Sequence, residues 1–360
     1  MHIITTGIGM MVTFPLLLNN ILLGMPSLSS YMLPNPYVFV YIRILLLRKW
    51  NRMNDHSYII EEGGSSMSQL SKIVFLGGDL RQYYMIKQLM EAGFPVAVYG
   101  LDRGELGDTI YEATTLKEAL SFGNIVICPI PVSKDQVDIF SKHAIPDLTL
   151  DKLKENLTEG HTLFGGCFNK SMSEFCEKKN IRLYDFMEIE SVSIANAIAT
   201  AEGTIAEAIL RSPINLHKNE CLVLGFGRCA KILADKLKGM GAKVSVGARK
   251  EDALAYADAY GYENIPLSEL SKHLHRFPFI FNTIPAMVLD SALISYIRKD
   301  AVIIDISSKP GGVNFDYCNQ LGINASLCLG LPGIYAPKAS ATILVTALFN
   351  CISGSASSKD

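Results

Sequence analysis

The sequence predicts an α/β protein built from two Rossmann-like parallel-sheet domains, separated by a cleft and joined by long helices. Three observations predict it. From residue 72 onward, short apolar runs alternate with longer helical patterns, the signature of a parallel sheet covered on both faces. The glycine loop Gly225-Phe226-Gly227-Arg228-Cys229-Ala230 falls between one such run and a helix. The chain has 360 residues, enough for about two domains.

The elements follow in order. Residues 72–77 read as a strand and 82–92 as a helix stopped by Gly93. Strands are expected at 96–99 and 125–128. An alanine-rich helix should run over 191–210, with Pro213 just past its end. A second series opens at Glu220. It has a strand into the glycine loop, then a helix over 228–240 with Ile232, Leu233, Leu237 and Met240 on one face. Further strands are expected at 243–246, 279–282, 301–306 and 325–327, and a final helix at 339–351 before a polar tail. The implied organisation is a substrate domain at 67–190, a linking helix at 191–212 and a nucleotide domain at 213–336. The terminal segment 337–360 should return to the first domain.

Composition narrows the function. A chain that is 49% hydrophobic and 19% charged is too apolar for disorder. A net charge of −2 offers no broad basic field, which argues against nucleic acid. The 8 cysteines form no C-x-x-C pair and show no zinc spacing with histidine. They read as buried thiols of a reducing cytosol, with no metal site.

The first 66 residues are different in character. Residues 3–25 are nearly free of charge, and 37–47 form a second apolar run. A signal peptide or membrane anchor is one reading. Against it, Pro15, Asn19 and Asn20 interrupt the first run, and the second is shorter than the ~20 residues a span needs. The preferred reading is that 1–66 is upstream sequence translated from too early a start. Glu61-Glu62-Gly63-Gly64 can encode a purine-rich ribosome-binding sequence just before Met67. A genuine disordered or membrane-touching extension stays open.

In the glycine loop, Gly225 permits the tight turn and Gly227 lets backbone approach a pyrophosphate. Ala230 keeps helix and strand close, and the helix N-terminus offers free N–H groups. Phe226, Arg228 and Cys229 complete the loop. The next strand ends at Ala248, where an NAD site places an acidic residue for the ribose hydroxyl; Arg249 and Lys250 follow instead. This suits the 2′-phosphate of NADP rather than NAD, although two solvated cations would read the same. Asn282-Thr283-Ile284-Pro285, and Asp305 with Ser307, end later strands on the ligand-binding edge. They make room for nicotinamide, or else are ordinary turns.

In the first domain, Gly77-Gly78-Asp79-Leu80-Arg81-Gln82 looks like half a phosphate loop, with Arg81 and Gln82 expected to point across the cleft. Pro131 ends another strand on the same edge. Arg81, Lys309 and Lys338 could converge as cations on a substrate with two carboxylates. Lys309 is also the one candidate catalytic group. None of His143, His161, His217, His273 and His275 has the setting of a general base. Glu188, Glu190 and Glu202 could face the cleft, but for at least two of them a solvated helix surface is the simpler role.

These pieces together resemble the family of the dipicolinate synthase A-subunit, found in spore-forming bacteria. The matching stretches are GGDLRQ at 77–82, PIPVSKD at 129–135, NAIATAEGTI at 196–205, LGFGRCAKILADKLKGMGAKVSVGAR at 224–249, DISSKPGGVNFD at 305–316 and GLPGIYAPKAS at 330–340. The family pattern would have Pro at Ala199 and Lys at Ile334, and residues 1–66 have no counterpart in it. The resemblance implies NADP-dependent oxidation of dihydrodipicolinate to dipicolinate (pyridine-2,6-dicarboxylate) during sporulation. It also implies a flavoprotein partner, the dipicolinate synthase B-subunit, and a cytoplasmic place in the mother cell. Association of several copies stays open. So do an alanine- or shikimate-dehydrogenase-like oxidoreductase and a non-catalytic NADP(H)-binding scaffold for the flavoprotein.

Overall fold

The computed structural model describes residues 71–357, apart from 102, 103, 105 and 108. All of these lie within the compact unit Gly63–Asp360. The expectations placed on residues 1–66 fall outside the described residues.

Six parallel strands make the first sheet: β1 (Ile73–Leu76), β2 (Val96–Tyr99), β3 (Tyr111–Glu112), β4 (Ile125–Ile127), β5 (Thr162–Gly165) and β6 (Arg182–Asp185). Their order is β3-β2-β1-β4-β5-β6. The central strands, IVFL, VAVY and IVI, are buried throughout, as strands covered on both faces must be. Helices α1 (Leu80–Glu91), α2 (Leu116–Phe122), α3 (Leu150–Asn156) and α4 (Lys170–Lys178) make the crossovers. Side chains alternate between two cores. Phe75, Ile127 and Phe164 meet Met85, Ile86 and Leu89 of α1 on one face. Val74, Leu76 and Val126 meet Leu116, Leu153 and Met172 on the other.

Helix α5 (Glu190–Arg211) then leads into the second sheet. This consists of β7 (Glu220–Leu224), β8 (Lys243–Ala248), β9 (Glu263–Pro266), β10 (Phe279–Asn282), β11 (Val302–Asp305) and β12 (Asn324–Leu327). Its order is β12-β11-β10-β7-β8-β9, the same winding as the first. Helices α6 (Arg228–Gly239), α7 (Glu251–Ala259), α8 (Ser291–Ile294) and α9 (Phe315–Gln320) connect these strands. In each sheet the winding reverses between the first and fourth strands, and ligands bind at the carboxyl ends beside such a reversal.

Two helices tie the halves together. Helix α5 places Val192 in the first core and Ala201, Ile205 and Ala208 in the second. Its small residues permit close packing. At Gly203 a β-carbon would lie 2.8 Å from Tyr335 and 3.0 Å from Leu331, both in α10 (Leu331–Tyr335). After α10 the chain forms α11 (Pro337–Ser357), which inserts Ala341, Leu344, Val345 and Leu348 into the first core against α1. Helix α11 runs longer than the expected 339–351 and includes part of the segment read as a polar tail. Conversely, β1 stops at Leu76 because Gly77 and Gly78 already turn, with φ of +56° and +117°. None of the 8 cysteines is in a disulfide. Five are buried and Cys229 and Cys351 are half-buried, as expected of small apolar side chains; Cys167 is the exposed exception. Among the described residues no helix is long and apolar enough to cross a membrane, and no cluster could hold a metal ion.

Leu348 is fully buried in the first core, and none of the loops described below includes it. Leu348→Ala should lower the free energy of unfolding by about 2–5 kcal/mol, measured by urea denaturation. A loss below about 1 kcal/mol would mean that α11 is not part of the first core.

Candidate nucleotide-binding site

The loop after β7 is set by a close approach of two strand ends. Gly225 has φ of +98° and donates its N–H to the Gly247 carbonyl at 2.7 Å. A β-carbon on Gly225 would collide with the Thr283 hydroxyl, which itself donates to the Leu224 carbonyl at 2.8 Å. Gly227 is the N-cap of α6 and provides no side chain to cap it. The first turn of α6 also carries no acidic residue, so no carboxylate on that turn competes for its N–H groups. A β-carbon on Gly227 would meet nothing within 4 Å, so the space over the loop is open. Ala230 is fully buried and lets α6 lie close to the sheet.

The other loop side chains divide. Phe226 is buried and packs edge-on against Tyr260 and Tyr262, with centroids 6.1 and 6.0 Å away. Its contribution to a ligand is therefore its backbone. The Cys229 thiol is half-buried and its pKa is raised by burial, which leaves it a poor nucleophile. Arg228 is exposed and pairs with Glu190 at 2.6 Å. Ala248 is buried at the end of β8, and Arg249 and Lys250 follow as exposed residues. Neither cation makes an ion pair among the described residues. Lys231 escaped the sequence reading. Its ammonium sits 5.6 Å from the Phe226 ring and 5.0 Å from the Tyr256 ring. Its position three residues after Arg228, on the same helix face, was the available signal.

Two turns expected to open space for nicotinamide use their polar side chains to hold themselves. Asn282, fully buried at the end of β10, donates to the Ile284 carbonyl at 3.1 Å and accepts from the Ile284 N–H at 3.2 Å. Asp305, fully buried at the end of β11, accepts from the Ser307 N–H, the Ser307 hydroxyl and the Gly312 N–H at 2.7–2.8 Å. These carboxylate and amide groups are satisfied within the protein. The half-exposed Thr283 and Ile284 and the exposed Pro285 form the rim beside Gly225.

At the edge of the first sheet the polar side chains fold onto the start of α1. Gly77–Gln82 forms a helix cap. The Asp79 carboxylate accepts from the Arg81 N–H, and the Gln82 side chain accepts from the Asp79 N–H at 2.9 Å, a capping box. Gln82 thus folds its Oε1 back onto the cap and is buried. Its Nε2 has no hydrogen-bond partner among the described residues. Arg81 is also buried. Its guanidinium pairs with Asp79 at 2.7 Å and donates to the Ile130 carbonyl, just before Pro131. It lies against α10 as well, since a β-carbon on Gly333 would fall 2.9 Å from Arg81 Nε. Lys309 and Lys338 are not buried and make no ion pair among the described residues. Of the two family departures, Ala199 is buried inside α5 and Ile334 is exposed on α10. Glu202 is exposed and pairs with Lys236 at 2.9 Å. Glu188 and Glu190 are exposed as well.

Two sheets of Rossmann winding, with an uncapped helix start and a glycine loop at the reversal of the second, define a two-domain dinucleotide-binding fold of the dehydrogenase type. Comparison with known proteins gives the family. Residues 72–187 match the N-terminal domain of the dipicolinate synthase A-subunit. The chain is 31% identical over 280 residues to the dipicolinate synthase A-subunit of Bacillus subtilis (strain 168), covering 77% of this chain and 94% of that one. The crystal structure of the Bacillus halodurans A-subunit superposes with a TM-score of 0.71 at 29% identity, over 79% of this chain and 99% of that one. That of the Bacillus subtilis protein gives 0.71 at 28%, over 81% and 99%. The chain belongs to the family of the dipicolinate synthase A-subunit. L-Alanine dehydrogenase shares the fold alone, at 13% identity, a TM-score of 0.53, and coverage of 77% of this chain and 88% of that one.

The two loop glycines should separate fold from binding. Gly225→Ala places a side chain at positive φ against Thr283 and should destabilise the protein by about 1–3 kcal/mol. Gly227→Ala should leave the thermal midpoint within about 1–2 °C but abolish binding of the reduced nicotinamide dinucleotide in a fluorescence titration. Unchanged affinity in Gly227→Ala would place the pyrophosphate elsewhere.

Proposed function

We propose that this chain is the NADP-binding subunit of a dipicolinate synthase, oxidising dihydrodipicolinate to dipicolinate with a flavoprotein partner, the B-subunit. The observation that carries the reading is the open, uncapped α6 start at Gly227, with Arg249 and Lys250 beyond the uncharged Ala248. NADP, when bound, accepts the hydride. The overall change is dihydrodipicolinate plus NADP⁺ to dipicolinate, NADPH and a proton.

The residues divide by task. The loop from Gly225 through Phe226, Gly227, Arg228 and Cys229 holds the pyrophosphate, mainly through backbone N–H groups. Arg249 and Lys250, after Ala248, take the 2′-phosphate. Thr283, Ile284 and Pro285 border the nicotinamide, while Asn282, Asp305 and Ser307 shape the turns that hold that border. Arg81, Gln82, Lys309 and Lys338 serve the two substrate carboxylates, and Pro131 is a wall of the pocket. The unpartnered Gln82 Nε2 supports this, because a buried donor without an acceptor marks a place where a ligand can supply one. Arg81 brings less free charge than a bare guanidinium, since Asp79 already neutralises it. Loss of hydride aromatises the ring, so the protein chiefly orients ring against nicotinamide. A strong dedicated base is not required: the ring proton leaves to water, and Lys309 is the candidate catalytic group through the positive charge it sets beside the substrate. The work is cytoplasmic, in the mother cell of a sporulating bacterium.

The direct test mixes this chain with the flavoprotein, NADP and the lysine-pathway precursor, and follows dipicolinate absorbance. Product formation supports the proposal. Nucleotide binding without product in the mixture would leave the chain a scaffold. Cofactor choice gives a second test. Arg249→Ala should weaken NADP(H) binding by about 1–3 kcal/mol and leave NAD(H) binding nearly unchanged. Equal losses for both would remove Arg249 from the 2′-phosphate site.

A further inference from the structure

The ion pair between Arg228 and Glu190 joins two separate parts of the chain. Arg228 is the first residue of α6 and follows Gly227 directly, while Glu190 is the first residue of α5, at the exit from the first sheet. Arg228 Nη1 and Glu190 Oε2 are 2.6 Å apart, and both side chains are exposed, at 50% and 68%. This is the only ion pair that Arg228 makes among the described residues. A guanidinium beside an uncapped helix start is a group that reads phosphate. Here its donors face a carboxylate instead. That carboxylate also puts negative charge next to the helix start that a pyrophosphate must reach.

The same two helices carry a second exposed pair, Glu202 with Lys236 at 2.9 Å. Lys236 lies 8 residues beyond Arg228 on α6, roughly 12 Å along the axis. The packing of α5 on α6 rests on the buried Ala201, Ile205, Leu233 and Leu237, so neither pair is needed to hold the helices together.

We infer that Glu190 is an internal anion that pairs with Arg228, and that the cofactor's pyrophosphate displaces it. Binding therefore exchanges one anion for another at Arg228 and frees the first turn of α5 from the phosphate loop. Because exposed ion pairs contribute little net stability, the exchange is readily reversible. Glu190 acts through Arg228, as a positioning residue, and the inference rests on the nucleotide reading of the Gly225 loop.

The test is a fluorescence titration of the full chain with NADPH, comparing wild type, Glu190→Gln and Glu202→Gln at low and high salt. Adenosine 2′-monophosphate, which lacks a pyrophosphate, is titrated alongside by calorimetry. Glu190→Gln should bind NADPH about 3- to 10-fold more tightly at low salt, with the gain shrinking at about 0.5 M salt as screening grows. Its affinity for adenosine 2′-monophosphate should not change, and Glu202→Gln should behave as wild type. An unchanged or weaker NADPH affinity in Glu190→Gln overturns the inference, as does an equal gain in Glu202→Gln. If the wild-type chain binds neither ligand, the nucleotide reading itself falls and this inference falls with it.

Discussion

The carboxyl ends of β7 and β10 approach each other so closely that no side chain fits on Gly225. The Thr283 hydroxyl occupies the space and bonds the Leu224 carbonyl. That contact forces the chain out of β7 in a left-handed turn and directly into α6. With no side-chain cap and Gly227 bare, the helix start faces open space. The positive end of the helix, the rim at Thr283–Pro285 and the cations after β8 are placed around it by the same strand order.

The two halves are coupled by chain that belongs to both. Helix α5 contributes to each core, and α11 returns from the second sheet to pack on α1. Between them, α10 lies against Gly203 on one side and the Arg81–Asp79 pair on the other. Gly203 and Gly333 are needed there for close approach. Helix α10 thus spans from the middle of α5 to the carboxyl edge of the first sheet, where Arg81 and Gln82 sit.

The sequence made some of this legible and hid the rest for physical reasons. Central strands such as IVFL and CLVL announced themselves because parallel strands buried on both faces are continuously apolar. The phosphate loop was legible because its glycines sit between a strand and a helix. Of the edge strands β12 was legible, whereas β3, β6 and β9 were not, nor was the short interior β5. Tyr111–Glu112 is two exposed residues, and Arg182–Asp185 is largely polar, so neither gives a hydrophobic signal. Asp79 with Gln82 was readable as a capping box but was masked by the Gly-Gly before it. Asn282 and Asp305 looked like ligand groups because small polar residues at strand ends serve both ligands and turns. Only their hydrogen bonds to Ile284, Ser307 and Gly312 show that these side chains hold turns. The Arg228–Glu190 pair spans 38 residues and could not be read from local pattern.

If the start of α6 is where the dinucleotide phosphates bind, amide hydrogen exchange of the full chain with and without NADPH will register it at single segments. Exchange should slow at the N–H groups of Gly227–Ala230 and at Arg249–Lys250, while the β1 and β2 core stays unchanged. Protection confined to the edge of the first sheet, or none at the α6 start under saturating NADPH, would place the phosphates elsewhere.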